Sequence, residues 1–260
     1  MGFIRVPVLT YHGANVSGTS YAENDGVALR EDLDFLHERG WSVVPLGAAV
    51  AALFEEGPSL PTRSVVLTCD DATDLDWRSM PNHPTAGHQP ALIDRLRDFQ
   101  SKWGADAQPG LHLTAFAIAS RAARRRMSEA CLKGLVGMND SWWRTAEASG
   151  MLSIENHSWD HNHGCLGPAP LPGLSRGHFD LDRAEQAWVE VGAAQRVLGS
   201  LLGRPPRFFA YPYGPASDFL SRTWLPRHGP AMGLRAAFTT EGAPVEAGLN
   251  RWALPRYVCG

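Results

Sequence analysis

The sequence predicts an α/β protein whose strands form a mainly parallel sheet. Short apolar runs, rich in β-branched and aromatic residues, alternate with longer segments in which apolar residues recur at helical spacing. The chain has 260 residues, 44% of them hydrophobic and 20% charged, so it can bury the core of one large domain. We therefore expect residues 1–260 to form a single domain built from βα units.

Eight segments are predicted to be strands, because each is short, apolar and bounded by turn-forming residues. They are Ile4–Thr10, Ser42–Val44, Ser64–Cys69, Leu113–Ala119, Leu152–Glu155, Arg207–Tyr211, Ala236–Thr239 and Trp252–Leu254. Parallel α/β folds build their functional sites at the carboxyl ends of the strands. The residues that follow these segments are therefore the first candidates for a site.

Helices are predicted between the strands. Leu29, Leu33 and Leu36 share one face of a helix that Gly40 ends. Leu92, Leu96 and Phe99 share one face of a second helix, which ends near Gly104. The other predicted helices are Leu46–Glu55, Ser120–Leu132, Asp140–Ala148, Phe179–Leu202 and Ala216–Arg227. Two loops, at 74–89 and 164–178, are unusually long and rich in Pro, Gly and His, which is typical of lids and binding elements.

Charge and hydropathy give no sign of nucleic-acid binding or of a membrane span. The formal net charge is -3, and such a balance leaves no basic footprint for nucleic acid. No apolar run approaches the roughly 18 residues that a membrane-spanning helix needs. The first residues lack the pattern of a signal peptide, so we expect a cytoplasmic location for the chain as given, and a periplasmic or extracellular one if a leader has been removed.

The four cysteines are Cys69, Cys131, Cys165 and Cys259. They are widely spaced and form no CxxC pair, so the sequence suggests neither a structural zinc knuckle nor a redox dithiol. We expect them to be reduced and mostly packed in the interior.

The stretch VVLTCDDAT places two carboxylates, Asp70 and Asp71, directly after a buried strand. One aspartate at such a position is commonly a helix N-cap or part of an Asx turn. Two neighbouring carboxylates repel each other unless a cation or a proton lies between them. The pair therefore predicts a metal ligand next to a general base.

The stretch ENHSWDHNHG supplies imidazoles for the same cation. His157 and His161 are four residues apart, so a single helical turn would direct both at one point. His163 is a third candidate, although its offset from His161 would turn it away. An HExxH peptidase is excluded, because Ser158 stands where that motif requires the glutamate base.

Three other motifs offer catalytic groups. In FFAYPYG, Tyr213 follows a proline turn, and its backbone N–H is a candidate oxyanion donor. In WALPRYVCG, Arg256 is either a solvated charge or the group that orients Asp70. In VPVLTYHGAN, His12 is either a buried ring or a general acid. Trp159, inside the histidine turn, is a candidate for lining a substrate groove.

The ordered set TYHG, TCDDAT, HSWDH, AYPYG and LPR resembles the NodB-homology polysaccharide deacetylases of carbohydrate esterase family 4, especially the branch with the poly-β-1,6-N-acetylglucosamine deacetylases. The resemblance runs from Pro7 to Arg256. It implies a distorted (β/α)7 barrel and a divalent metal, most often zinc, held by Asp71, His157 and His161. Further roles that it implies are the general base for Asp70 and the oxyanion donor for the Tyr213 N–H. Tyr211, from the AYPYG motif, joins Trp159 as a candidate for substrate contact.

The chain departs from the family pattern at three places. The first motif commonly reads TFDDG, whereas Cys69 and Ala72 replace Phe and Gly here. Many members tether the base with an arginine at the position of Ala210, and Arg256 is the expected substitute. The late Leu-x-His motif that supplies the general acid is absent, so that role is assigned to His12.

The resemblance implies a metal-dependent hydrolase of carbon–nitrogen bonds that removes acetyl groups from N-acetylated or O-acetylated carbohydrate. One alternative is a hydrolase of small non-sugar amides, in which the insertion at 74–89 narrows the groove. A second is a catalytically silent carbohydrate-binding relative. The intact Asp70, Asp71, His157 and His161 argue against that second alternative.

Overall fold

The computed structural model describes residues 4–169, 171 and 173–260. Its strands are β1 (Arg5–Val6), β2 (Val8–Tyr11), β3 (Ser42–Val43), β4 (Ser64–Cys69), β5 (Met80–His83), β6 (Gly87–Gln89), β7 (Leu113–Ala117), β8 (Leu152–Asn156), β9 (Phe208–Ala210), β10 (Ala236–Phe238), β11 (Val245–Glu246) and β12 (Tyr257–Val258). Its α-helices are α1 (Asp25–Glu38), α2 (Leu46–Phe54), α3 (Leu92–Trp103), α4 (Arg121–Ala130), α5 (Trp143–Ala148), α6 (Ala184–Ala187), α7 (Ala194–Leu202) and α8 (Leu225–His228).

Two π-helical segments continue these helices. Trp188–Ala193 joins α6 to α7, and Phe219–Trp224 leads into α8. Short 3-10 segments lie at Tyr21–Glu23, Asp74–Asp76, Ala105–Ala107 and Pro230–Met232. No helix in the described part of the chain is both long enough and apolar enough to cross a membrane.

The main sheet is parallel and has the strand order β10-β9-β8-β7-β4-β2-β12, with β3 paired to the beginning of β4. The segment after β11 pairs with both edges of this sheet: Leu254 bridges to Phe238 of β10, and β12 pairs with β2. The sheet therefore curls into an open, distorted barrel that the end of the chain spans. This architecture confirms the predicted α/β fold class.

Strand β4 shows how the sequence sets up the site. All six of its residues are buried, which explains why this strand appears in the sequence as a nearly continuous apolar run rather than an alternating one. The backbone N–H of Asp70 still bonds to Tyr11 of β2 at 3.0 Å. The aspartate pair thus directly follows the carboxyl end of β4, next to the carboxyl ends of the neighbouring strands β2 and β7.

The strand predicted at 252–254 is wrong. Leu254 makes only an isolated bridge to β10, with backbone hydrogen bonds of 2.8 Å to Ala237 and Thr239. Pro255 has no N–H to continue this pairing. The chain therefore crosses to the opposite edge of the sheet, where β12 forms two residues later.

Two other segments differ from the prediction. The loop at 74–89 contains the antiparallel hairpin of β5 and β6. The helix expected from Phe179 begins at Ala184, because Phe179 and Leu181 are buried while Asp180 and Asp182 are exposed, an extended rather than a helical pattern. In the predicted loop at 164–178, residues 170 and 172 lie outside the described residues, and the rest forms neither helix nor strand.

Candidate metal and catalytic site

The three predicted metal ligands converge at the carboxyl edge of the sheet. Asp71 follows β4, and His157 and His161 follow β8. The Oδ1 atom of Asp71 lies 3.8 Å from Nε2 of His157 and 4.0 Å from Nε2 of His161. Such separations are slightly wider than the roughly 3–3.5 Å between ligand atoms that share one zinc ion. A small inward movement of the side chains would bring them onto a common cation.

The donor atoms fit a divalent ion. Oδ1 of Asp71 is buried and has no hydrogen-bond partner among the described residues. Nδ1 of His157 lies 2.9 Å from the carbonyl oxygen of Ala210, which fixes the proton on Nδ1 and leaves Nε2 free as a ligand. Burial, followed by the neighbouring His157, lowers the pKa of His161 to about 3, so that this ring is neutral at physiological pH. One carboxylate and two imidazoles are a ligand set typical of zinc.

Backbone strain is concentrated in the turns that carry these groups. Positive φ values of non-glycine residues cost free energy and cluster at functional sites. Of the seven such residues in the described ranges, only Lys133 lies outside the turns after β4, β8 and β9; the other six are Asp71 (72°), Ala72 (50°), Ser158 (72°), His161 (61°), Asn162 (44°) and Tyr213 (62°). Ala72 therefore adopts the conformation for which the family motif commonly uses glycine.

The histidine turn is not the helical turn that the spacing predicted. Asn156 accepts a hydrogen bond from the N–H of Ser158 at 2.8 Å, and the Ser158 hydroxyl accepts one from the N–H of His161 at 2.9 Å. These side-chain bonds to the backbone build an irregular turn instead. The turn still brings the two imidazole rings to a centroid separation of 4.9 Å.

Arg256 binds Asp70 through two hydrogen bonds of 2.7 and 2.8 Å, and both side chains are buried. The guanidinium also donates to Thr10 and Thr68 at 3.1 and 3.3 Å. Burial by itself would raise the pKa of Asp70, but the charge of Arg256 outweighs burial and holds that pKa below its ordinary value. Asp70 is therefore an ionised carboxylate of fixed orientation.

Replacing Arg256 by Met is expected to move the acid limb of the kcat/KM profile to higher pH by about 1–3 units, because the buried carboxylate loses its opposite charge. The variant should also lose about 3–5 kcal/mol of unfolding free energy, the typical cost of breaking a buried ion pair. Arg256→Lys, which keeps the charge, should show smaller changes of both kinds. An unchanged acid limb in a folded Arg256→Met protein would contradict this role.

His12 stands at the end of β2 beside an acidic partner that the sequence did not single out. Its Nδ1 atom lies 3.8 Å from Oδ2 of Asp25, which also accepts the backbone N–H of His12 at 2.6 Å. Burial would lower the pKa of His12, but the nearby carboxylate of Asp25 and the charges of Asp70 and Asp71 together raise it to about 9. Asp25 was missed because it begins helix α1 and looks like an ordinary first-turn acid.

The structure separates the three aromatic candidates. The ring of Tyr213 packs against His161 at a centroid distance of 4.5 Å and lines the cavity. Trp159 packs half-buried against the core and is not among the residues of the cavity wall. Tyr211 is only 1% exposed, and its hydroxyl donates to the carbonyl of Trp252 at 2.7 Å. This burial contradicts the prediction that Tyr211 contacts substrate.

The site opens into a cavity of about 300 Å³ whose wall includes His12, Asp70, Asp71, His157 and His161. A depression of about 360 Å³ adjoins it on one side and shares the ring of Tyr213. Another of about 380 Å³ adjoins it on the other side and shares Ala14, Cys131 and Leu132. Because they share these wall residues, both depressions adjoin the cavity that contains the candidate site.

Comparison with known proteins agrees with this geometry. Residues 107–224 match the family model described as polysaccharide deacetylase. The matched range includes His157, His161 and Tyr213, whereas the aspartate pair precedes it. No curated protein matches the chain.

Several solved structures share the fold. IcaB from Ammonifex degensii has a TM-score of 0.65 and 20% identity, over 99% of this chain and 92% of that one. The deacetylase PplD from Streptococcus pyogenes, in complex with acetate, has a TM-score of 0.64 and 15% identity, over 99% and 93%. A polysaccharide deacetylase from Bacillus cereus has a TM-score of 0.60 and 14% identity, over 98% of this chain. The chain spans 64% of the length of that protein and of a matching structure from Bacillus anthracis. At these identities the likeness shows the fold.

The chain shares its parallel barrel with solved structures of deacetylases, and its Asp-His-His group lies at the carboxyl ends of the strands of that barrel. The family match over residues 107–224, less than half of the chain, confirms the resemblance that the motifs predicted. The predicted enzyme class, a hydrolase of carbon–nitrogen bonds, agrees with this family.

Proposed function

We propose that the chain is a metal-dependent deacetylase that removes acetyl groups from N-acetylated or O-acetylated carbohydrate. The convergence of Asp71, His157 and His161 next to the ionised Asp70 is the observation that carries this proposal. Zinc is the proposed metal, because zinc sites that act in catalysis commonly use three protein ligands and leave a position open.

Asp71, His157 and His161 would hold the ion. When bound, a divalent ion lowers the pKa of a coordinated water and polarises an acyl oxygen. The other roles belong to residues of the chain. Asp70, fixed by Arg256, accepts the proton of the attacking water. The backbone N–H of Tyr213 makes no hydrogen bond with a described residue and is free to donate to the developing oxyanion.

His12 is the proposed general acid. A protonated imidazole can give its proton to the departing amine or alkoxide as the bond to the acyl carbon breaks. The raised pKa keeps His12 protonated at neutral pH, and the carboxylate of Asp25 holds the ring at the cavity wall. Asp70 takes one proton of the water as its oxygen bonds to the acyl carbon, and His12 gives one proton to the departing group as the bond from that group to the acyl carbon breaks. Acetic acid and the deacetylated product leave, and exchange with solvent removes the proton from Asp70 and returns one to His12.

The basic limb of the pH profile tests this assignment. If His12 must be protonated, activity should fall as pH rises through about 9, or somewhat lower when a bound cation offsets the charge of Asp71. Asp25→Asn should move that limb to lower pH, because the imidazolium loses its carboxylate partner. His12→Gln should abolish the limb and lower kcat by about 10²–10⁴. A basic limb that both variants leave in place would exclude His12.

The adjoining depressions favour a carbohydrate chain over a small amide. They offer room beside the catalytic groups for sugar units next to the acetylated one, which a small acetamide would leave empty. The bound acetate of the PplD complex is consistent with an acetyl-releasing reaction in a structure of the same fold.

Acetate release decides between the candidate functions. The zinc-loaded protein is incubated with oligomers of β-1,6-linked N-acetylglucosamine, chitin oligomers, acetylated xylan and small acetamides. We expect release from an amino-sugar oligomer, with kcat/KM rising with oligomer length. Release from small acetamides alone would favour the amide hydrolase. No release from any substrate, with metal bound, would favour a binding protein.

A further inference from the structure

A second group of metal-binding side chains lies at the mouth of the same cavity. It consists of Cys131, His163 and Cys165, whose potential ligand atoms all lie within 4.8 Å of one another. Sγ of Cys131 is 3.8 Å from Nδ1 and 3.9 Å from Nε2 of His163. The sequence did not indicate this group, because Cys131 lies more than thirty residues from the other two.

These distances suit a thiophilic cation. In a tetrahedral site, zinc lies about 2.3 Å from sulfur and about 2.0–2.1 Å from nitrogen, which puts two such ligand atoms about 3.5–4 Å apart. The Cys131–His163 separation already falls in this range. Two cysteines and a histidine with an open fourth position are also an established ligand set for zinc.

Two structured segments hold the group in place. Cys131 caps the carboxyl end of α4, where its N–H donates to Met127 at 2.8 Å. Cys165 follows the histidine turn, and its backbone N–H donates to Nδ1 of His163 at 3.1 Å. A metal that binds through Nδ1 would replace this hydrogen bond.

The group is accessible to an ion from solvent. Cys131 is exposed, and His163 and Cys165 are partly exposed. This contradicts the expectation that the cysteines are mostly packed, which holds for Cys69 alone among the four. Cys131 and His163 also belong to the wall of the catalytic cavity, and the rings of His161 and His163 are 5.8 Å apart.

From this geometry we propose that Cys131, His163 and Cys165 form a second metal site, which binds zinc or another thiophilic divalent cation beside the Asp71 site. The proposal is independent of catalysis, since none of its three ligands takes part in the reaction described above.

Cobalt titration of the reduced, metal-free protein tests the site, because thiolate ligands give Co²⁺ an intense charge-transfer band in the near ultraviolet that carboxylate and imidazole do not. We expect two Co²⁺ ions per chain and this band. Cys131→Ser and Cys165→Ser should each abolish the band and leave one ion. Cys259→Ser, a matched change at a half-buried cysteine elsewhere, should keep both.

The Asp71→Asn variant separates this proposal from the proposed function. This variant should lose the ion at the Asp71 site and keep the thiolate band of the cysteine-histidine site. Binding at each of the two sites can therefore be measured even if the other site does not bind metal. A wild-type protein that binds one Co²⁺ ion without a thiolate band would overturn the proposal. A Cys131–Cys165 disulfide on air oxidation, together with no band in the reduced protein, would also overturn it and assign the pair to redox chemistry.

Discussion

Asp70→Asn is expected to lower kcat by about 10²–10⁴ while the protein still binds one metal ion at Asp71, His157 and His161. The asparagine keeps the shape of the side chain but cannot accept the proton of the attacking water, and a general base contributes a rate factor of this size. Steady-state acetate release together with metal analysis by mass spectrometry measures both quantities on one preparation.

The variant also leaves Arg256 with a neutral partner in a buried position. We therefore expect a lower melting temperature, because a buried charge without its counterion is destabilising. Assays should be run well below that temperature, with Asp98→Asn, an exposed aspartate on α3, as the matched control. Full activity in a folded, metal-bound Asp70→Asn protein would remove Asp70 as the base.

His157→Ala should bind the catalytic metal far more weakly and lose about a thousandfold in activity. This size corresponds to the several kcal/mol by which a Lewis-acid metal stabilises a transition state. Alanine removes a ligand atom that the structure holds in position: Nδ1 of His157 bonds to the carbonyl of Ala210, and this orients Nε2 towards Asp71. Isothermal titration of the metal-free variant with zinc measures the loss, with cysteine ligands blocked by the Cys131→Ser background.

An exposed histidine on β6 provides the control for this prediction: His88→Ala should change neither metal affinity nor activity. His161→Ala should reproduce the loss seen for His157→Ala, since both rings face Oδ1 of Asp71. Wild-type metal affinity in either ligand variant would contradict the proposed site, whatever the activity.

Local sequence was sufficient for the elements that deliver the site. Strand β4 was predicted with its observed bounds, because six buried residues in a row leave a strong apolar signal. The aspartates and histidines were recognised from type and spacing alone, and the structure brings Asp71, His157 and His161 together. The helical turn assumed for the histidines was wrong, since side-chain hydrogen bonds from Asn156 and Ser158 compete with helix formation.

Pairings between distant segments needed the tertiary structure. Arg256 and Asp70 are 186 positions apart, and they meet because the end of the chain crosses from β10 to β2 above the aspartate pair. Asp25 reaches His12 only because α1 packs beside β2. Tyr211 belongs to a turn motif, which predicts an exposed side chain, but Phe209 and Trp252 pack around the ring and bury it.

The sequence by itself determined which groups stand at strand ends, since burial pattern and residue type are local properties of a strand and its turn. The tertiary structure decided which of these groups contact each other. Strand order and barrel closure set the distance between the ends of strands that are far apart in the sequence. Strand order cannot be predicted from a local sequence pattern. The Asp70–Arg256 ion pair, the His12–Asp25 contact and the cysteine-histidine group all depend on such distances.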